Sequence, residues 1–434
     1  MNKRLLYMET YGCQMNEYDS DRIRKCIDIE ITHDPQEADV VIINSCAIRQ
    51  KADQKAFSSL GRFKHLKAKN PNLIVGIAGC VAQLYGDQLL NKIPHLDFVL
   101  GPRAIPRLPE LITQIEKEKK RSVETSLDIE EIFEIEPYHE NGKVSAFVSV
   151  QQGCNKVCSY CIVPFVRGKE INRPLNDILN ETKNLVAKGV REVTLIGQTV
   201  NSWKANGYKF GDLLRKVAEI EGLLRIRFTT SYPRDVTKKM IYAMVAEAPK
   251  VCHHIHLPVQ SGSNRILAMM KRTYTKESYV DIIKTLRESI PDIAITTDVI
   301  VGFPGESEKD FQETLELIKE VEFDTSFSFK FSPRPGTPAA ESNELVPETV
   351  SNERLATLQK IQSEIAIRKN QKKERTVEEV LVEGESRNDP SWQSGRNTHN
   401  QVVNFPGPLS LKGKIVNVRI VEGLQNSLRG ELLQ

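Results

Sequence analysis

Twice along this sequence, short apolar runs of strand length alternate with longer stretches of helical periodicity, and that alternation confines the chain to parallel α/β architecture. The first series, at 5–8, 40–43, 73–77 and 98–100, predicts an open parallel sheet within residues 1–118. The second, at 146–150, 192–196, 225–229, 254–257, 293–302 and 326–331, predicts six β/α units within 144–370, a partial (β/α)6 barrel. At 434 residues the chain exceeds what one core usually supports, so separate domains are expected. The stretch 119–143 opens basic and turns acidic through Glu130, Glu131, Glu134 and Glu136, which predicts a linker. Past a charged helix expected near 352–375, short strands at 377–382, 401–405, 414–421 and 427–432 predict a small closed β-barrel in 371–434.

Charge excludes little, since a net +3 is only a weak hint of an anionic partner. No run of eighteen apolar residues occurs, so no membrane span is expected and a cytoplasmic location is read. The eight cysteines are more informative. In a long chain without a secretion signal they point to metal ligation or catalysis rather than disulfides.

Three of them fall in one short loop after the first strand of the second series, Cys154-Asn155-Lys156-Val157-Cys158-Ser159-Tyr160-Cys161. A 4Fe-4S cluster held by three thiolates keeps one iron open, where the amino and carboxylate groups of S-adenosylmethionine (SAM) can chelate. A structural zinc site would want a fourth ligand, and none lies nearby. An electron from such a cluster can cleave SAM to a 5′-deoxyadenosyl radical, which removes hydrogens that no protein base could take. Cys13, Cys46 and Cys80 lie far apart in sequence, yet each follows an apolar strand of the first series. Ligands of open parallel sheets bind beyond the carboxyl ends of the strands, so these thiols are expected to converge as a second three-cysteine site; burial as small core residues is the alternative. Cys26 and Cys252 read as structural. The run His253-His254-Ile255-His256 is not expected to hold one ion, because neighbouring strand residues face opposite ways.

The segments Thr10-Tyr11-Gly12-Cys13-Gln14-Met15-Asn16, Asn44-Ser45-Cys46-Ala47-Ile48-Arg49, Gly197-Gln198-Thr199-Val200-Asn201-Ser202, Leu257-Pro258-Val259-Gln260-Ser261-Gly262-Ser263 and Ser332-Pro333-Arg334-Pro335-Gly336-Thr337-Pro338 extend the pattern over nearly the whole chain. With them the sequence resembles the methylthiotransferases, radical-SAM enzymes with an N-terminal cluster domain and a C-terminal TRAM module. Within that family it is most similar to the MiaB type. The resemblance implies Cys154, Cys158 and Cys161 as ligands of the radical-SAM cluster, Cys13, Cys46 and Cys80 as ligands of an auxiliary 4Fe-4S cluster, and no catalytic side chain beyond them. It implies methylthiolation of carbon 2 of isopentenylated adenosine beside the tRNA anticodon. One SAM would methylate a sulfur at the auxiliary cluster, and a second would generate the radical.

The resemblance also implies SAM contacts at Gly302 and Gly305, whose glycines permit close backbone approach, at Gly197 and Gln198, where many radical-SAM enzymes carry Gly-Gly-Glu, and at Tyr160. From the TRAM module it implies binding of the tRNA anticodon stem-loop. Lys369, Lys372, Lys373 and Arg375 are the candidate phosphate contacts, and Trp392 a candidate base-stacking ring. Phe405 ends an apolar strand and is expected inside the barrel. An electron donor such as flavodoxin or ferredoxin is implied as well. The sequence departs from the family where Gln151-Gln152 stand in place of the frequent Met-Arg. Other readings are a relative acting on threonylcarbamoyladenosine in tRNA or on a ribosomal-protein aspartate, and a noncatalytic iron–sulfur RNA-binding protein.

Overall fold

The computed structural model describes residues 4–27, 29–48, 50–129, 133–387 and 389–433, arranged in two compact units. Arg49, Glu130 and Glu131 lie outside the described residues.

The first unit is built on a six-stranded sheet of order β2-β1-β3-β4-β5-β6, all neighbours parallel: β1 (Leu5–Tyr11), β2 (Glu30–Ile31), β3 (Val40–Ser45), β4 (Ile74–Gly79), β5 (Phe98–Leu100) and β6 (Ser122–Glu124). Every residue of β3 and β4 is buried, as expected for central parallel strands covered on both faces. The period of two sorts them into two cores. Val41, Ile43, Val75 and Ile77 pack with Leu60 and Phe63 on one face, while Val40, Ile42 and Ala78 pack with Phe98 and Ile112 on the other. Residues 151–156 and 161–173 belong to this unit too, and Ile162 and Val166 enter the first of those cores.

One expectation is corrected here. The stretch read as a linker from 119 contains β6, which pairs with β5, and Ile129, Phe133 and Ile135 pack against the second core. Three residues of half-buried edge strand carry too little apolar pattern to stand out in a charged stretch.

The second unit holds six strands as two parallel triplets: β7 (Ser145–Ser149), β8 (Glu192–Ile196) and β9 (Arg225–Phe228), then β10 (His254–His256), β11 (Ala294–Val301) and β12 (Thr325–Lys330). A single parallel bridge, Ile226 to Val251, links the triplets, giving the expected partial barrel. One core serves it, with Trp203, Phe228, Tyr279 and Phe323 among its largest members. The helix Glu348–Gln371 then leads into a closed five-stranded barrel, β13 (Val377–Glu385), β14 (Trp392–Asn397), β15 (Val402–Pro406), β16 (Ile415–Gly423) and β17 (Leu428–Leu432), in the order β13-β14-β15-β17-β16. Strand β14 is missing from the sequence reading. Its inward residues are Gln393, Gly395 and Asn397, so no apolar alternation announces it.

The small barrel docks at the N-terminal ends of the larger barrel's strands, the end opposite the ligand-binding edge of such folds. Arg225, the first residue of β9, donates to the carbonyls of Arg396 (2.5 Å) and Glu379 (2.8 Å). Arg227 donates to the Asn397 carbonyl at 2.7 Å and pairs with Glu192 at 2.9 Å. Just ahead of β10 and β11, His253 and Asp292 meet at 2.8 Å, and His399 of the small barrel reaches the other Asp292 oxygen at 3.0 Å. Among the described residues no helix is long and apolar enough to cross a membrane.

Candidate functional site

The three N-terminal cysteines come together because β1, β3 and β4 are adjacent and in register. Tyr11, Ser45 and Gly79 form one row across the sheet, and Cys13, Cys46 and Cys80 follow that row by one or two residues. Cys13 caps the helix Gln14–Cys26, Cys46 opens a loop, and Cys80 begins the helix Cys80–Tyr85. The thiols of Cys13 and Cys46 are close enough to shift each other's titration, and Cys80 is close enough to act on both electrostatically.

A buried amide pair braces the row. Asn16 Nδ2 donates to Asn44 Oδ1 at 3.2 Å, Asn44 Nδ2 donates back to the Asn16 carbonyl at 2.8 Å, and Asn16 Oδ1 accepts from the Cys13 amide and thiol. Gly79 has φ +89°, and a Cβ there would lie 2.2 Å from Asn44 Oδ1, so only glycine lets β4 deliver Cys80 past the amide pair.

The electrostatics single out Cys13 as the readiest anion, while burial pushes the Cys80 thiol up. Hydrogen bonding to Cys46 pulls the Cys13 thiol down to about 6 against the effect of burial, with the Arg167 guanidinium assisting, while the same contact and burial push Cys46 up. Arg167 is fully buried, paired with Asp19 at 2.6 Å and close enough to Cys80 to act on it electrostatically; among the described residues its Nη1 finds no hydrogen-bond partner. Three converging thiols beside a buried cation with one unengaged N–H fit an iron–sulfur cluster, whose sulfurs would accept from it.

On the 154–161 loop, Cys154 and Cys161 fall in the first unit and Cys158 in the second. The Cys154 amide donates to the Gly168 carbonyl at 3.2 Å, and the Lys156 amide donates to Cys154 Sγ at 3.4 Å. Cys158 Sγ accepts from Arg272 Nη1 at 3.4 Å. Cys154 is buried and the other two half-buried.

Of the expected SAM contacts, Gly197 and Gln198 directly follow β8, and Gln198 Oε1 is a buried acceptor without a partner among the described residues, which suits an ammonium donor. Tyr160 packs edge-on against Phe303, with ring centroids 6.4 Å apart. Gly302 and Gly305 have φ +68° and +75°, and their turn is tied internally: the Gly302 amide donates to Glu306 Oε2 at 2.7 Å, and Glu306 pairs with buried Arg354 at 2.8 Å. Turn geometry alone explains both glycines.

The candidate RNA contacts divide. Lys369 is spent on Asp324 (2.7 Å) and Lys373 on Glu378 (2.8 Å), whereas Lys372 and Arg375 are exposed and Trp392 is half-buried at the start of β14. Phe405 lies fully inside the small barrel, as expected. Cys26 donates its thiol to the Ile105 carbonyl at 3.3 Å, and Cys252 is buried. His254 and His256 both meet Thr296 Oγ1, at 3.1 and 3.0 Å.

The sequence reading missed Asn16 and Asn44 as a brace, although both stand inside the quoted motifs, and it missed Arg167 and Arg272. Arg167 had a signal, a lone cation ending an otherwise apolar helix, Val163–Arg167.

Comparison with known proteins places these features in context. The profile of the Radical SAM superfamily matches residues 148–318, that of the uncharacterized protein family UPF0004 matches 5–101, and that of the TRAM domain matches 371–433. A tRNA-2-methylthio-N(6)-dimethylallyladenosine synthase from Syntrophus aciditrophicus is 48% identical, covering 100% of this chain and 95% of the relative. One from Aromatoleum aromaticum is 46% identical, covering 99% and 98%. Among solved structures, the radical S-adenosylmethionine methyltransferase TsrM from Kitasatospora setae, with cobalamin and a 4Fe-4S cluster bound, superposes with a TM-score of 0.59 at 14% identity, over 78% of this chain and 77% of that one. At that identity the likeness is one of fold.

Proposed function

The chain belongs to the family of the tRNA-2-methylthio-N(6)-dimethylallyladenosine synthases, and from that premise we propose that it is a radical-SAM enzyme that places a methylthio group on carbon 2 of isopentenylated adenosine beside the tRNA anticodon. The observation that carries the reading is the convergence of Cys13, Cys46 and Cys80 at one sheet edge in a chain that also carries the Cys154, Cys158 and Cys161 loop.

Cys154, Cys158 and Cys161 would hold one 4Fe-4S cluster through three irons, and Cys13, Cys46 and Cys80 a second. When bound, these clusters and SAM supply the one-electron cleavage that activates an inert carbon–hydrogen bond and a place to hold the sulfur to be transferred. The chain's own residues prepare and orient. Asn16, braced by Asn44, holds Cys13 in place, and Arg167 favours the anionic form of Cys13 and Cys80. Gln198 offers the SAM amino group an acceptor that has no partner among the described residues.

The small barrel supports an RNA-binding role, with exposed Lys372 and Arg375 and half-buried Trp392 as contacts to the tRNA anticodon stem-loop. Flavodoxin or ferredoxin would deliver the electron in the cytoplasm. Along the sequence the duties divide as 1–118 for the auxiliary-cluster domain, 119–143 for the connecting stretch, 144–370 for the radical-SAM core and 371–434 for the RNA-binding module. The relatives' names favour isopentenylated adenosine over threonylcarbamoyladenosine or a ribosomal-protein aspartate, and two sets of three cysteines favour catalysis over a structural cluster.

Expression in bacteria that lack this activity tests the reading. Nucleosides digested from their tRNA would regain the methylthio derivative of isopentenyladenosine, whereas the unmodified isopentenyl nucleoside alone would sink the proposal.

A further inference from the structure

We propose that Arg272 is a positioning residue for the Cys158 thiolate, aiming an N–H at its sulfur and stabilising the reduced form of the cluster bound there; this rests on the reading of Cys154, Cys158 and Cys161 as cluster ligands. Arg272 lies outside the motifs that carry the family resemblance, and its surroundings single it out.

The guanidinium is half-buried and packs over two aromatic rings, with Cζ 4.5 Å from the Tyr232 centroid and 5.0 Å from that of Tyr274. Nε donates to Tyr274 Oη at 2.8 Å, Nη2 to the Pro258 carbonyl at 3.2 Å, and Nη1 to Cys158 Sγ at 3.4 Å. Tyr274 is itself fixed, its hydroxyl donating to the carbonyls of Pro258 and Val259, and the Arg272 amide donates to the Leu267 carbonyl at 2.8 Å. Two nitrogens of the planar fork thus anchor it to a rigid frame, and the third points at sulfur.

Charge completes the argument. Among the described residues no carboxylate pairs with Arg272, whereas Arg167 pairs with Asp19, Arg227 with Glu192 and Arg354 with Glu306. A cation faced by carbonyls, phenols and rings is stabilised by an anion brought into contact with it. The sulfur in contact with it is Cys158 Sγ, a thiolate once it binds iron.

A thiolate held by a charged N–H donor enters cluster assembly already oriented. Once bound, it shares less electron density with iron, so the reduced cluster gains relative to the oxidised one and the reduction potential rises. Lysine could keep the charge but not the two-point anchorage of the fork. The role is one of positioning and tuning, because Arg272 acts on the cluster through Cys158.

The test uses the full chain with Cys13, Cys46 and Cys80 changed to Ala, so that only one cluster assembles, grown with arginine carrying 15N in the guanidino group. After anaerobic reconstitution and reduction, pulsed EPR is expected to show a weak 15N coupling that disappears in Arg272→Lys. A redox titration is expected to place the midpoint of Arg272→Gln below that of the parent, a shift that a purely structural role would not produce. A parent that takes up no cluster overturns the premise and the inference with it. A parent with an EPR-active cluster but no 15N coupling overturns the inference alone and leaves the ligand assignment standing; that readout does not depend on any variant folding.

Discussion

Replacing Arg167 by Met should loosen the N-terminal sheet by an amount that can be worked out in advance. Arg167 and Asp19 are both almost fully buried and meet at 2.6 Å. Deleting one partner of such a pair leaves an uncompensated charge and costs about 3–5 kcal/mol. Here the lower figure applies, because Arg22 also lies 3.8 Å from Asp19 and retains part of the compensation. A loss of about 3 kcal/mol corresponds to roughly a hundredfold faster exchange of amides that open only with the whole domain. Strand β3 provides those amides, since every residue of it is buried and it pairs on both sides. Hydrogen exchange followed by mass spectrometry, on protein without clusters, reads the effect directly. Exchange of β3 that changes less than about threefold in the variant would refute the reasoning.

Three further outcomes follow from the geometry. Gly79→Ala forces a residue with a Cβ into φ +89° against Asn44; the strain is about 1–3 kcal/mol before the clash is counted, and iron analysis should show the loss of one cluster's worth of metal. Phe405→Ala empties the centre of the small barrel at about 3–5 kcal/mol, so tRNA binding measured by filter retention should fall while reductive SAM cleavage persists. Burial alone would raise the Glu378 carboxyl, but hydrogen bonds from His399 and Lys373 outweigh it and hold it at about 2, below the ordinary 4.5. The stability it contributes is therefore complete above about 4.5 and is lost as pH falls through about 2; exchange protection of β13 should follow that window, and Glu378→Gln should flatten the dependence.

Much of this architecture was legible because it is written locally. The 154–161 loop declares itself through spacing, and the continuous apolar runs of β3 and β4 mark strands buried on both faces. Cys13, Cys46 and Cys80 could be grouped only because topology places successive strand ends in one row. What escaped notice depends on contacts distant in sequence. Arg272 reaches Cys158 across 114 residues and Arg167 reaches Asp19 across 148, so no spacing rule links either pair. Strand β14 escaped because it turns polar side chains inward, where Asn397 is satisfied by Glu378 and Gln401. The expected phosphate patch shrank for a related reason: Lys369 and Lys373 found acids from other elements, which a count of charges at a helix end does not reveal.

The central claim is that one chain carries two cysteine sites with separate duties. Anaerobic incubation of reconstituted enzyme with isopentenylated tRNA, SAM and a reductant, followed by mass spectrometry of the nucleosides and of 5′-deoxyadenosine, tests it most directly when the parent is run beside Cys154→Ala and Cys13→Ala. The account predicts methylthio product from the parent, neither methylthio product nor 5′-deoxyadenosine from Cys154→Ala, and 5′-deoxyadenosine without methylthio product from Cys13→Ala. Full methylthio product from either variant would contradict it.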